Sequence, residues 1–518
     1  MNRDDMLSRA ARHRGAWDFI VIGGGATGAG VAVDAAARGY TVLLLEQSDF
    51  GKGTSSRSTK LVHGGVRYLE QGNIALVMEA LKERGILRQN APHLVGNLPF
   101  VVPNYDWWEA PFYGLGLKIY NLLAGKYGFG HSSMLSREET LERLPIRTEG
   151  LRGGVVYYDG QFDDSRLLIN LVQTAAELRA VLLNYAPVVG LVKGADGTVD
   201  GVVFRDTESG REFQAEARIV INATGPFADT VRRMAEPDAH ALIAPSQGIH
   251  LVFDRSFLPG ASAIMVPHTR DGRVMFAIPW HGHVVVGTTD TPIAEPLLEP
   301  QAFATEVSFI LETAALYLHK APTRADVLSV FAGVRPLVRS GDGRITAALS
   351  RDHTIHIDAS GLLTTAGGKW TTYRHMAEDT VNHAVELARL PERPCPTASL
   401  RIHGYYERPE ELGPLGVYGS DAAAITELAR KDPQLGERLD PDLPYTGAQV
   451  SWAVRMEMAR SLEDVLARRC RALFLNTAAA IRMAPAAASL MARELGRDAD
   501  WERKELAAFA ELAAKYRV

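Results

Sequence analysis

A glycine-rich turn between an apolar strand and an alanine-rich helix constrains this chain more than any other feature. Residues 18–39 read DFIVIGGGATGAGVAVDAAARG, and a second apolar run, Val42–Leu45, ends in Glu46. Gly23, Gly25 and Gly28 stand in GxGxxG register, with Ala26 and Thr27 opening the helix. The first glycine permits a tight turn, the second lets backbone approach a pyrophosphate, and the third allows close helix-on-strand packing. The helix N-terminus supplies free N–H groups to the anion. Glu46, 18 residues past Gly28, is spaced to accept the hydroxyls of an adenosine ribose, with Gln47 beside it. Strand before, helix after and acid beyond make this a dinucleotide-binding βαβ unit.

At 518 residues the chain exceeds one ordinary core, so two or three domains are expected. Its 46% hydrophobic and 23% charged residues are those of a globular protein, and a net charge of −5 speaks against nucleic acid as a partner. Cys395 and Cys470 are the only cysteines, without metal-ligand spacing, so neither a disulfide framework nor a zinc site is supported. The charged start, MNRDDMLSRAARHRGAW, lacks the apolar core of a secretory signal, and a cytoplasmic chain is expected. No run of 18 apolar residues appears. Residues 107–124, WWEAPFYGLGLKIYNLLA, read either as a membrane-interface segment or as a buried helix.

After the βαβ unit comes a hydroxyl-rich loop, Thr54, Ser55, Ser56, Ser58 and Thr59, leading to HGGVRY at 63–68. Helices are expected at 74–89, 163–179 and 306–319, and strands at 181–192, 198–204 and 212–221. Residues 97–153 look irregular. The strand ending at Ile221 stops abruptly in Asn222-Ala223-Thr224-Gly225-Pro226, which suggests backbone brought against a ligand. Strand-like pieces at 249–253, 262–266, 274–279 and 284–288 suit an antiparallel sheet. Strands at 355–358 and 362–365 run into Ala366-Gly367-Gly368-Lys369-Trp370-Thr371, a second anion-seeking helix start. From about 401 onward the composition turns helical, with helices expected at 420–430, 447–471, 477–495 and 498–516.

Two glycine-rich helix starts with an Asn-Ala-Thr-Gly stop between them suggest one long cofactor crossing a parallel sheet, and FAD suits this better than NAD. The Gly367-Gly368-Lys369 turn would then serve the isoalloxazine end, its N–H groups and ammonium favouring negative charge there. FAD contacts are expected from Gly23, Gly25, Ala26, Thr27, Gly28, Glu46, Gln47, Thr54, Ser55, Ser56, Lys60, His63, Gly64, Gly65, Val188, Ala223, Thr224, Gly225, Gly367, Gly368, Lys369, Trp370 and Thr371.

The segments GGGATG with Glu46, TSSRSTKLVHGGVRYLE, NATGPFAD, QGIHLVF, AGVRPL, GGKWTTYR and SLEDVLARR resemble the FAD-dependent glycerol-3-phosphate dehydrogenase family over nearly the whole chain. The resemblance implies oxidation of glycerol 3-phosphate to dihydroxyacetone phosphate, with hydride passing to flavin N5 and electrons to a membrane quinone. A phosphate dianion needs cations, and Arg67, Arg335 and Lys369 are the candidates, with Tyr68 and Thr371 as hydroxyl donors and Arg351 as a further lining residue. His63 and His250 are both candidates for the base that takes the hydroxyl proton, since histidine titrates near neutrality, and the resemblance puts both in the active-site wall. Catalytic roles are thus expected at His63, His250, Arg335 and Lys369. Gln247 stands where many members of the family carry a basic residue, which bears on phosphate affinity.

The expected architecture is α/β: a discontinuous, Rossmann-like FAD-binding domain (1–90, 161–245 and 333–400), an inserted, mostly antiparallel substrate domain (91–160 and 246–332), and an all-helical C-terminal domain (401–518). The chain is expected on the cytoplasmic face of the cell membrane as a peripheral protein, anchored through 107–124, with homodimerisation left open. Two other chemistries compete: a glycerol-3-phosphate oxidase that uses oxygen, and an amine or amino-acid oxidase of the same broad fold. A structural or sensory flavoprotein is the non-enzymatic alternative.

Overall fold

A computed structural model of the chain describes residues 1–65, 73–106, 109–266, 269, 272–339 and 353–518, with backbone alone at 110 and 111. Arg67, Tyr68, Arg351, Trp107 and Trp108 therefore lie outside the described residues or side chains. The fold is mixed α/β with a helical C-terminal unit. Its first sheet runs His353–Ile357, Leu363–Gly367, Glu212–Asn222, Trp17–Ile22, Val42–Leu45 and Val181–Leu183. All neighbours in that order are parallel except the first pair. Buried on both faces, these strands are continuous apolar runs: Phe19, Ile20, Val21, Leu43 and Leu44 are completely buried. The helix Ala26–Ala37 covers one face and packs between Asp164–Glu177 and Tyr373–Leu387.

The second sheet is mostly antiparallel and is built around Ile243–Asp254, Val327–Val338, His283–Gly287, Met275–Trp280, Ala263–Val266, Val95–Asn104 and Gly153–Phe162. Ala263–Val266 against Val95–Asn104 is its parallel contact. The expected boundaries at 245/246 and 332/333 fall inside two of these strands, which pair with each other from Ile243↔Val338 to Phe253↔Val327.

Several local expectations are corrected. Residues 97–153 are not irregular. They contain the strand Val95–Asn104, the helix Glu109–Ala124 and a short capped helix, Arg137–Arg143. Pro99 and Pro103 are tolerated because Val95–Asn104 pairs along its length on one side and on the other only at Phe100 and Val101. The segment 181–192 is two strands, Val181–Leu183 and Val188–Lys193, which join different partners. Val327–Val338 was not anticipated as a strand, and neither was the N-terminal helix Arg3–Arg12.

The helix expected at 447–471 is broken into two pieces, and a third, short helix follows it. Gly447–Met456 ends before Met458, which has φ 57°, a π-helical turn spans Asp464–Arg469, and Arg471 is again left-handed before Ala472–Leu475. Helix formers fill the stretch, but Glu457, Arg468, Arg469 and Arg471 are all buried and take partners in the first domain. Buried charges must be paired, and that requirement outweighs a few tenths of a kcal/mol of helix propensity per residue. The C-terminal unit also packs directly on the second sheet, with Phe474 against Phe331 at 4.9 Å between ring centres.

Candidate active site

The glycine turn is built as its spacing requires. Gly23 has φ 108°, and a Cβ there would stand 2.6 Å from the Ala223 carbonyl oxygen. A Cβ on Gly28 would stand 1.9 Å from the carbonyl oxygen of Gly23, so only hydrogen lets the helix lie this close to the strand. Gly25 precedes the helix without a side-chain cap, and no acidic residue occupies the first turn, so the positive end of the helix faces the cleft.

Glu46 splits its carboxylate between two backbone donors, Gly24 N at 2.7 Å on one oxygen and Ser48 N at 2.9 Å on the other. Each oxygen keeps a second lone pair, as a ribose diol would need. Burial raises the pKa of Glu46 against the pull of these two N–H groups.

The hydroxyl loop forms the next wall. Ser55 Oγ accepts the Ala26 N–H at 2.9 Å, the Ser55 carbonyl accepts the Trp370 indole N–H at 2.8 Å, and Thr54 donates to the Val334 carbonyl at 2.6 Å. The Asn222 stop also has a mechanical reason. Its side-chain amide donates to the Ala228 carbonyl and to Thr364 Oγ1, while its oxygen accepts from Thr224 Oγ1 at 2.7 Å, locking the turn that follows. At the far end Gly367 and Gly368 have φ of 78° and 75°, and a Cβ on Gly368 would meet Met376 Sδ at 2.3 Å.

These pieces share one cleft along the carboxyl ends of the parallel strands. Of the expected cofactor residues, it is lined by Gly23, Gly25, Ala26, Thr27, Glu46, Gln47, Thr54, Ser55, Val188, Ala223, Thr224, Gly225, Gly367, Gly368, Lys369 and Trp370. Gly28 lies just behind as packing. A long groove with an anion-binding helix end in its middle, a diol acceptor on one side and a second glycine turn beyond fits the length and chemistry of FAD.

Lys52, Phe227, Thr230, Met234, Pro336, Tyr373 and Met376 also line the cleft and were not anticipated. Lys52 sits in a Gly-Lys-Gly run that a wider reading of the loop would have caught. Phe227, Pro336 and Tyr373 fall inside the quoted segments NATGPFAD, AGVRPL and GGKWTTYR, whereas Thr230, Met234 and Met376 lie on the helices that follow and carry no local signal.

Lys60 departs from expectation. It is fully buried, and its ammonium donates to the Ser56 carbonyl at 2.8 Å and to Asp164 Oδ2 at 2.7 Å, away from the cleft. The rings of Trp280, Phe331 and Phe474 surround it at 5.0–5.5 Å. Burial outweighs the pull of Asp164 and lowers its pKa to about 7. Ser56 is likewise buried behind the wall.

His63, Gly64, Gly65 and Thr371 lie next to the cleft rather than in its lining. The His63 N–H donates to Thr371 Oγ1 at 3.1 Å, and Gly64 N donates to Tyr120 Oη at 2.8 Å. Tyr120 in turn donates to Asp159, which is held by Arg84.

His250 and Arg335 come from the second sheet. The register Ser246↔Arg335, Gly248↔Gly333 and His250↔Phe331 puts both side chains on one face, with only glycines between them. The space is needed: a Cβ on Gly248 would stand 2.5 Å from Arg335 Nη2, and one on Gly287 would stand 2.4 Å from His250 Cδ2. Arg335 is held by Asp290 at 3.2 Å, Thr288 Oγ1 at 3.2 Å and the Gln247 carbonyl, yet keeps 26% of its side chain exposed. His250 stacks on Phe331 and shares a hydrogen bond with Thr59 through Nε2 at 3.0 Å, while Nδ1 has no hydrogen-bond partner among the described residues. Burial first, then the charges of Lys60 and Arg335, hold its pKa well below the ordinary value, so the ring is neutral. Gln247 is engaged by Glu306 and the Gln301 carbonyl.

Comparison with known proteins agrees with this geometry. The family of FAD-dependent oxidoreductases matches residues 18–374, and the C-terminal domain of alpha-glycerophosphate oxidase matches residues 409–502. The chain is 40% identical to the mitochondrial glycerol-3-phosphate dehydrogenase SDP6 of Arabidopsis thaliana, over 94% of this chain and 84% of that protein. It is also 40% identical to the human mitochondrial glycerol-3-phosphate dehydrogenase, over 94% of this chain and 72% of that one. The glycerol-3-phosphate dehydrogenase of Bacillus halodurans, solved with FAD, superposes with a TM-score of 0.81 at 30% identity, covering 99% of this chain and 97% of that one. The chain belongs to the FAD-dependent glycerol-3-phosphate dehydrogenase family.

Proposed function

We propose that the protein oxidises glycerol 3-phosphate at C2 to dihydroxyacetone phosphate and passes the electrons to a membrane quinone. The observation that carries the reading is the placement of the Arg335 guanidinium and the His250 imidazole on one sheet face, with only glycines between them along the paired strands. Arg335 is pre-oriented by Asp290 and Thr288 and presents a planar fork to a phosphate dianion. Lys369 and Thr371, at the adjoining turn, complete the anion site, and Arg67, Tyr68 and Arg351 belong to it by resemblance. A base must be unprotonated before it acts, and the neutral ring of His250 meets that condition. A bound dianion nearby would raise its pKa and strengthen it for the task. His63 is the second candidate, and the bond from its backbone N–H to Thr371 supports that reading. Bound FAD supplies the two-electron acceptor at N5, and the Gly367–Lys369 turn provides positive potential at that end of the cleft.

The helix Glu109–Ala124 supports a membrane-facing role. Phe112, Leu115, Ile119 and Leu122 follow helical spacing and are 48%, 65%, 41% and 81% exposed, with Ile74, Met78 and Met134 also exposed nearby in the same layer. Such a stripe suits the lipid interface, where quinone is reached from the surface. No helix among the described residues is long and apolar enough to cross a membrane. We read the protein as peripheral, on the cytoplasmic face of the cell membrane. Anaerobic titration of the purified yellow protein with glycerol 3-phosphate tests the reading. Bleaching that a soluble quinone reverses fast and air reverses slowly is expected. Fast reversal by air would favour the oxidase, and no bleaching of a flavin-loaded sample would refute both.

A further inference from the structure

The loop after the second parallel strand, residues 46–56, walls one side of the cofactor cleft through Glu46, Gln47, Gly51, Lys52, Gly53, Thr54 and Ser55. Its outer side is gripped by the C-terminal unit at three points. Asp49, completely buried, accepts from Arg468 Nε at 2.5 Å on one oxygen and from Arg469 Nη2 at 2.9 Å on the other. Lys52 pairs with Glu463 at 2.6 Å, and Glu463 also takes Arg468 at 2.7 Å. The Ser56 carbonyl accepts from Arg471 Nη2 at 2.7 Å as well as from Lys60. Every cation in this set comes from the π-helical turn 464–469 or just beyond it, apart from Lys52 and Lys60.

We propose that this turn is a clamp that retains FAD: Asp49, Glu463, Arg468 and Arg469 are positioning residues that hold the 46–56 loop in its cofactor-binding shape. Three features of the loop support it. First, Gly51, Gly53, Thr54 and Ser55, which line the cleft, lie between the grip points, and two of them are glycines, so the loop has little stiffness of its own. A loop that must be ordered on binding charges that ordering against affinity, and a loop already ordered does not.

Second, the same loop closes the groove against the helix start and the far turn, because Ser55 receives both the Ala26 N–H and the Trp370 indole. A shift at residues 49–52 is therefore transmitted to the helix start in the middle of the cleft and to its far turn. Third, the arginine pair keeps Asp49 ionised, near a pKa of about 2 despite full burial, so the contact is a charged one. Removing one partner of such a pair leaves the other charge buried and unpaired.

The test measures FAD dissociation from the holoenzyme by the rise in flavin fluorescence after dilution, alongside thermal unfolding. Glu463→Gln, at a half-buried position, should raise the dissociation rate about fivefold, and Asp49→Asn about thirtyfold. Asp440→Asn is the control: it breaks a pair with Arg482 in the same C-terminal unit that does not touch the loop. It should lower the unfolding temperature and leave FAD dissociation at the parental rate. If Glu463→Gln releases FAD no faster than the parent, or if all three variants fall on one line of dissociation rate against unfolding temperature, the clamp is refuted. Should Asp49→Asn not accumulate as folded protein, Glu463→Gln against Asp440→Asn decides alone.

Discussion

Replacing Gly248 by alanine separates binding from folding at the proposed phosphate site. Gly248 lies in extended backbone within Ile243–Asp254, so alanine is conformationally acceptable there. Its Cβ, however, would stand 2.5 and 2.6 Å from the two terminal nitrogens of Arg335 and 2.7 Å from Thr288 Oγ1. Ordinary contact needs roughly 3.5 Å, so the guanidinium must retreat by about 1 Å. It is the end of a flexible, partly exposed side chain and can do so, which keeps the stability cost below about 1 kcal/mol. The same retreat spoils a bidentate grip on phosphate. Losing one charge-assisted hydrogen bond costs about 1.5 kcal/mol, or roughly a tenfold rise in KM for glycerol 3-phosphate, with kcat largely retained. Steady-state kinetics with a soluble quinone, beside a melting curve of the FAD-loaded enzyme, gives both numbers. A KM within twofold of the parent would show that Arg335 does not hold the phosphate.

Three further outcomes are expected. Gly28→Ala would press a Cβ to 1.9 Å from a backbone oxygen that cannot yield, so the variant should purify without flavin, as the ratio of visible to ultraviolet absorbance would show. His403 loses hydration by burial, but bonds to Asp421 at 2.8 Å and Glu177 at 2.6 Å more than restore its charge and raise its pKa to about 9. That stabilisation is full below the unfolded value near 6.5 and is lost as pH rises through 9. His403→Gln should therefore cost on the order of 1–2 kcal/mol at pH 6 and almost nothing at pH 9.5 by denaturant titration. Leu115→Ser with Leu122→Ser should reduce flotation with anionic-lipid vesicles about tenfold while leaving the anaerobic titration unchanged, and undiminished flotation would count against the helix as the membrane-facing surface.

What could be read from the sequence was what is decided locally. Gly28 is fixed by the Gly23 carbonyl five residues before it, Gly23 by a positive φ that glycine adopts freely, and the Asn222 stop by its own side chain. Both glycine turns and the parallel strands were therefore legible. Val327–Val338 was not, because Arg335 and Pro336 interrupt its apolar run and its pairing partner lies some 80 residues earlier. Lys60 sits inside a motif that faces the cofactor, yet the motif's spacing says nothing of Asp164 or of the three aromatic rings that draw its ammonium inward. The continuous helix expected at 447–471 failed for the same reason. Helix propensity is a property of neighbours in the chain, whereas the arginines of that stretch answer to acids hundreds of residues away.

That distance has a cost during synthesis. Asp49 and Arg468 are 419 positions apart, so at ordinary rates of translation the acid waits roughly 20–80 s for its partner to be made. A nascent chain can assemble strands and glycine turns in that interval, but it carries an uncompensated acid at the back of the pocket wall. Folding intermediates that stall before the last quarter emerges should thus be poor acceptors of flavin, and release from the ribosome, rather than completion of the nucleotide sheet, should set when the nascent protein turns yellow.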